Sequence, residues 1–334
     1  MSTMMKRSLL ALLVVVVSTQ VKAQYAWDIG VHLGGANYLG EMGGKEQTRR
    51  DFIWDMKLGQ TRWSIGVFGR RKLNRSFSVS AGLMYLRLQG ADALSTNPQR
   101  VGRNLNFRND MFELYVRPEF TIFQDNDIGG KGRYRTDFRL FLYAGAALFY
   151  SSPRGQINRE GAFYALQPLQ TEGVAYSKFG FAIPAGLGMH ITKKRRHRYG
   201  FDFGYRTTFT DYLDDVSTEY VNIPANGDPL ATQLYDQRPY LDDVDLVTSG
   251  TQVQTASGDV VTVPDAIQYG WVPDTDGPSK KENNKRGDPT HNDSYLTMTL
   301  TYSYVLKGQS NFYRQRYSWI RGKKRIGRKS RAKF

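Results

Sequence analysis

The clearest pattern in the chain is alternation with a period of two. Over residues 179–192, Phe179, Phe181, Ile183, Ala185, Leu187, Met189 and Ile191 fall on one face, and Gly180, Ala182, Pro184, Gly186, Gly188 and His190 on the other. Near the C-terminus Leu296, Met298, Leu300, Tyr302 and Tyr304 alternate with Thr297, Thr299, Thr301 and Ser303. Near the N-terminus Trp27, Ile29, Val31 and Leu33 alternate with Asp28, Gly30, His32 and Gly34. A period of two predicts β-strands. Residues 62–68, 77–88, 111–122, 138–149 and 201–212 complete a set of eight strands. Each is about as long as a tilted membrane strand must be. The segment 138–149 is apolar on both faces, which leaves its orientation open, and Pro118 and Pro184 fall inside strands, where proline is disfavoured.

The pattern predicts an all-β fold, an eight-stranded antiparallel transmembrane β-barrel with N- and C-termini in the periplasm. A soluble β-sandwich also alternates, but apolar faces flanked by aromatics favour a barrel. With 21 Tyr, 18 Phe and 33 Gly, and a negative mean hydropathy, the composition suits strands of which half the residues face a polar interior. Eight strands give an interior that side chains fill, so no open pore is expected.

The N-terminus predicts export. Lys6 and Arg7 precede an unbroken apolar stretch over 9–17, and Val21-Lys22-Ala23 presents small residues where a signal peptidase reads. The stretch is shorter than the roughly 20 residues of a spanning helix. The expected organisation is therefore a signal peptide at 1–23, a barrel at 24–306 and a basic tail at 307–334. Short turns join strands two to three and six to seven, whereas 35–61, 89–110, 150–177 and 213–294 are long, the layout of short periplasmic turns and long outer loops. Cysteine is absent, which excludes disulfides, thiolate zinc sites and cysteine nucleophiles.

Charge then sorts by side. The formal net charge is +15, which in a cytosolic chain would suggest nucleic acid; the export signal argues against that, and no nucleic-acid partner is expected. The first turn carries Arg70, Arg71, Lys72 and Arg75, and the second carries Lys193, Lys194, Arg195, Arg196 and Arg198. The tail 307–334 has eleven Lys or Arg and no acidic residue, with Arg314, Arg316, Tyr317, Trp319, Arg321, Lys323, Lys324 and Arg325 among its residues. These three segments form a candidate partner-binding face. Outer-membrane lipid would attract such a face, but aromatics among arginines also mark protein interfaces. The stretch 214–293 has the opposite balance, fifteen acidic against five basic residues.

Strand parity points Asp28, Glu113, Arg117, Glu119, Asp202 and Arg206 inward. Opposite charges in a narrow interior should pair and plug it, because an unpaired buried charge is costly. His32, His190, His197 and His291 are the four histidines, and none accompanies a nucleophile elbow. No enzyme, metal or cofactor is expected. Phe209 and Tyr212 suit an interfacial girdle. Asp211, Asp214 and Asp215 could either ligate a hard cation through oxygen or accept backbone N–H bonds in a capped turn.

The stretch 200–217, GFDFGYRTTFTDYLDDVS, together with IGVHLGGANYLG over 29–40 and the following Glu41, resembles the PorG-type outer-membrane β-barrels of the type IX secretion system in the Bacteroidetes. The resemblance implies a non-enzymatic secretion component that contacts a periplasmic ring of a PorK-like lipoprotein and a PorN-like protein. The alternative is a general small outer-membrane barrel acting as an adhesin or envelope-stabilising protein through its outer loops.

Overall fold

The computed structural model describes residues 27–40, 42, 56–94, 103–126, 128, 136–194, 196–218, 220, 228–237, 252–254, 260–262, 286–287 and 289–306. The fold is predominantly antiparallel β-sheet. The strands are β1 (Trp27–Leu39), β2 (Arg62–Lys72), β3 (Phe77–Ala91), β4 (Asn106–Asn126), β5 (Thr136–Ala144), β6 (Ala146–Tyr150), β7 (Pro153–Ile157), β8 (Glu160–Ala165), β9 (Phe179–Lys193), β10 (His197–Thr208), β11 (Gln252–Gln254), β12 (Val260–Thr262) and β13 (Ser294–Leu306). One short α-helix, α1 (Pro229–Tyr235), lies between β10 and β11; Asp228 caps it by accepting from the Leu230 N–H.

Every pairing is antiparallel. From β4 the ladder runs through β3, β2, β1, β13, β10 and β9, and β9 pairs in turn with β5 and β6, both of which pair with β4. The β7–β8 hairpin extends β4 beyond that ladder. Trp27 and Leu306 lie at one end of the sheet, with the tight β2–β3 and β9–β10 connections. In the first of these, Asn74 Oδ1 accepts from the N–H groups of Ser76 and Phe77, fixing a short Asx turn. This is the turn end. The opposite, loop end carries the long connections.

The segment expected as one strand at 138–149 is split at Gly145. Two prolines account for the split. The pairings set Gly145 opposite Pro184 of β9 and Arg117 of β4, with Pro118 of β4 one position away, opposite Ala144. Neither proline has an N–H to give, so ladder bonds are lost on both sides at adjoining positions. The Gly145 N–H donates to the Pro184 carbonyl at 2.9 Å. A Cβ on residue 145 would lie 2.3 Å from the Val116 carbonyl oxygen, so only glycine fits this close approach. Parity survives the break: Phe141, Tyr143, Ala147 and Phe149 are buried, while Leu142 and Leu148 are exposed. That settles the orientation left open by the sequence.

The connections differ from simple loops. Residues 150–177 contain the β7–β8 hairpin rather than an unstructured excursion. After β10 the chain turns back over the sheet, burying Leu213 and Val216 completely against Leu86, Leu88, Phe107, Met111 and Phe149. The first residues of the segment expected as a long outer loop, 213–294, thus pack onto the loop end.

Candidate functional site

Burial along the long strands is inverted relative to a water-soluble protein, in which large apolar side chains seek the inside. Ile29, Leu33 and Leu300 are 58%, 59% and 67% exposed, whereas Asp28, Glu113, Arg117 and Arg206 are at most 1% exposed. Alternation produces both faces at once, since successive side chains of a strand point to opposite sides. The sheet thus turns an apolar face outward and a charged one inward.

The inward charges sit in register and pair. Arg117 Nη2 lies 2.5 Å from Asp202 Oδ2, and the Tyr143 hydroxyl donates to the same carboxylate at 2.6 Å. Arg117 also lies over the Tyr143 ring, 3.9 Å from its centroid. Glu113 faces Arg206 at 3.3 Å and accepts from the Tyr295 hydroxyl at 2.5 Å, while Arg206 also donates to Thr297 Oγ1. Glu119 lies 2.8 Å from Arg70 Nε, and Asp28 lies 2.8 Å from Arg198 and 3.4 Å from Arg70. All six residues assigned inward by parity are therefore buried and ion-paired, Asp28, Glu119, Arg117 and Asp202 in one network and Glu113 with Arg206 in a second.

Two residues expected on the basic partner-binding face belong to the first network instead. Arg70 is 3% exposed and lies between the rings of Phe68 and Phe141, and Arg198 turns in towards Asp28. The reason is that β2 runs on to Lys72 and β10 begins at His197, so strand parity still governs both arginines. Arg139, unassigned by the sequence, is also buried. The same parity, carried from Phe141 back to Arg139, is the signal that would have found it.

At the loop end a second constellation seals the sheet. The two segments that carry the family resemblance meet there. The Tyr38 hydroxyl, from 29–40, touches Asp214 Oδ2 at 2.7 Å and also Asp293 Oδ1. Asp293 accepts from the Leu213 N–H, and Asp214 from the Val216 N–H, at 2.9 and 3.0 Å. Asp215 accepts from Thr171 and Tyr176 hydroxyls, both at 2.5 Å. Glu172 accepts from the Ser217 and Thr218 N–H groups and from Arg286 at 2.7 Å. Asp214 and Asp215 thus act as turn and loop acceptors. Burial pushes the Asp214 carboxyl up to about 7, against the Tyr38 hydroxyl, which favours its charged form. Burial likewise lifts Asp215 to about 6, with Arg286 opposing. Phe209 is exposed at the edge of the sheet, whereas Tyr212 stacks flat on Tyr176 with centroids 4.6 Å apart rather than joining an outward girdle.

Of the remaining basic face, Arg71, Arg75, Lys193, Lys194 and Arg196 are exposed at the turn end and Lys72 is half-buried. Arg195, Arg314, Arg316, Tyr317, Trp319, Arg321, Lys323, Lys324 and Arg325 lie outside the described residues, as do the signal segment and Glu41. Among the histidines, His32 bonds to the Tyr115 hydroxyl at 2.8 Å and packs at a tilt against Phe68, His197 contacts Tyr302, and His291 contacts Thr290.

The features define a class: an antiparallel β-sheet protein with an ion-paired interior and an apolar exterior. Residues 6–223 match the family described as Domain of unknown function (DUF6089), and the chain belongs to that family. No curated protein matches. Among solved structures the chain is similar to Ail, the attachment invasion locus protein of Yersinia pestis, solved in complex with the heparin analogue sucrose octasulfate. The identity is 9%, over 85% of this chain and 100% of that one, with a TM-score of 0.31. A likeness of that degree carries no argument about fold or function.

Proposed function

We propose that this protein is an eight-stranded closed barrel of the outer membrane that acts, without catalysis, as a docking component of a type IX protein secretion system. The inverted burial carries the reading: Trp27, Ile29, Val31, Leu33, Leu187, Met189 and Leu300 face outward while paired charges lie inside. An apolar exterior of this extent suits hydrocarbon, and backbone groups in hydrocarbon need a sheet without free edges. The pairing that leaves β4 through β3 and returns to it through β5 and β6 supports such closure.

Docking is the part that rests on charge and resemblance. Arg71, Arg75, Lys193, Lys194 and Arg196 are exposed at the end where β13 hands over to the basic tail. A face of one sign steers and holds a partner of the other. The partner is then the periplasmic ring of a PorK-like lipoprotein and a PorN-like protein, with outer-membrane lipid around the sheet. Deleting 314–334 while keeping the sheet folded should abolish co-purification of the ring proteins and lower secretion. Unchanged partners together with normal secretion would sink the docking reading. A second reading, an adhesin or envelope-stabilising barrel, draws on the hydrogen-bonded loop end with its β7–β8 hairpin. It requires that deleting 153–165, and not the tail, removes function.

A further inference from the structure

The turn end of the interior opens into a cavity of about 410 Å³, lined by Lys72, Arg139, His190 and Arg198 together with Gln124 and Asp137. Deeper in the sheet every guanidinium has a carboxylate; this cavity breaks that rule. No carboxylate lies within ion-pair distance of Arg139 among the described residues, where its guanidinium makes one hydrogen bond, to Gln124 Oε1 at 3.4 Å. Arg198 spends Nη1 on Asp28, leaving a buried Nε without a partner. The buried Nδ1 of His190 is also without one. Lys72 is half-buried at the rim, and among the described residues its ammonium makes no ion pair or hydrogen bond. Three cations thus converge on one space, and a single acid, Asp137, shares the lining.

We infer that this cavity binds a phosphate group. Burying a guanidinium without a counter-charge is strongly unfavourable, and the unused donors are arranged about a cavity large enough for more than one water. Two planar guanidinium forks and one ammonium point charge suit a tetrahedral oxyanion, whose several oxygens can each accept a charge-assisted bond. The site does not depend on the docking reading, since it lies in the mouth of the sheet and not on its exposed turns. The phosphate can come from a soluble ester or from the headgroup of a phospholipid at the membrane surface. The two sources share the recognition chemistry and differ in what must be attached to it.

The test uses the full chain in detergent micelles and in nanodiscs. Inorganic phosphate and glycerol 3-phosphate are titrated by calorimetry in micelles, and retention of phosphatidylglycerol is followed by native mass spectrometry after release from nanodiscs. Saturable heat with the soluble probes assigns a free phosphate; retained phosphatidylglycerol without that heat assigns a headgroup. Either way Arg139→Gln should weaken binding by at least about tenfold, as expected for loss of a charge-assisted hydrogen bond. Lys72→Met should weaken it too, and its half-exposed, unpaired side chain makes that variant safe to fold. Arg154→Gln, exposed on β7 at the other end, should bind as the natural protein does. Absence of binding to every probe, or equal binding by folded Arg139→Gln and Lys72→Met, overturns the proposal.

Discussion

The inward face of the sheet has two halves that are held in opposite ways. Towards the turn end, beneath the cavity at its mouth, the space is filled by Asp28, Arg70, Arg117, Glu119, Asp202 and their partners, all supplied by the strands. Towards the loop end it is filled by Leu86, Leu88, Phe107, Met111 and Phe149, and is sealed by Leu213 and Val216 from beyond β10. The difference follows from what each filling demands. A buried charge is satisfied by one well-placed opposite charge, which a facing strand in register can supply. An apolar surface at an open end needs cover from water, which strands alone do not provide. The charged half therefore depends on register and the apolar half on chain that returns.

The largest break in this comparison comes from unpairing a charge. Arg117→Met leaves Asp202 buried with only Tyr143 as a close partner, and Glu119 loses a neighbour. Removing one member of a buried pair typically destabilises by about 3–5 kcal/mol. Urea unfolding in micelles should show a loss of that order, and Arg117→Met with Asp202→Leu together should lose less than the sum of the two single changes. Additive losses would mean that the charges do not act as a pair.

In the apolar half the corresponding change is Leu213→Ala. Deleting a fully buried leucine side chain usually destabilises by 2–5 kcal/mol. A loop can settle partly into the space, so about 2–3 kcal/mol is expected, confined to the seal. Hydrogen exchange should speed up across 209–217 while β1 and β13 stay protected. Uniform deprotection of the sheet would show that the seal and the strands unfold as one unit.

How much of this was legible depends on which rule governs each residue. Parity alone was enough for Asp28, Glu113, Arg117, Glu119, Asp202 and Arg206, because a period-two pattern fixes the face of every residue in register. Arg70 and Arg198 obeyed the same rule, but their strands run further than the apolar alternation suggests, so they read as turn residues. The segment around Phe141 was ambiguous because large aromatics line its inner face: Phe141 and Tyr143 pack beneath Arg70 and Arg117. Apolar rings there serve cations, which hydrophobicity does not reveal. Leu213 and Val216 were hidden by the acidic residues around them, and their burial becomes visible only when Tyr38 is brought to Asp214 across the fold.

The smallest and sharpest prediction concerns pH at the seal. The Tyr38 hydroxyl has one proton and touches both Asp214 and Asp293, so one of the two contacts needs a proton on a carboxyl group. Burial holds Asp214 up to about 7 and Asp215 to about 6. In the unfolded segment both carboxyls return to near 4. Between those values the folded seal binds protons that the unfolded one does not. Its stability is therefore complete below the unfolded value and is lost as pH rises through the folded ones. After correction for intrinsic exchange rates, amides of 209–217 should be better protected at pH 5 than at pH 8. Tyr38→Phe removes the donor that favours the Asp214 carboxylate, so the carboxyl pKa rises further and the loss of protection moves to higher pH. The ion pairs of the turn half, sharing neither hydroxyl nor proton with the seal, should be unaffected by that substitution. A seal whose protection is flat from pH 5 to 8, with or without the Tyr38 hydroxyl, would mean that its carboxylates stay charged in spite of burial.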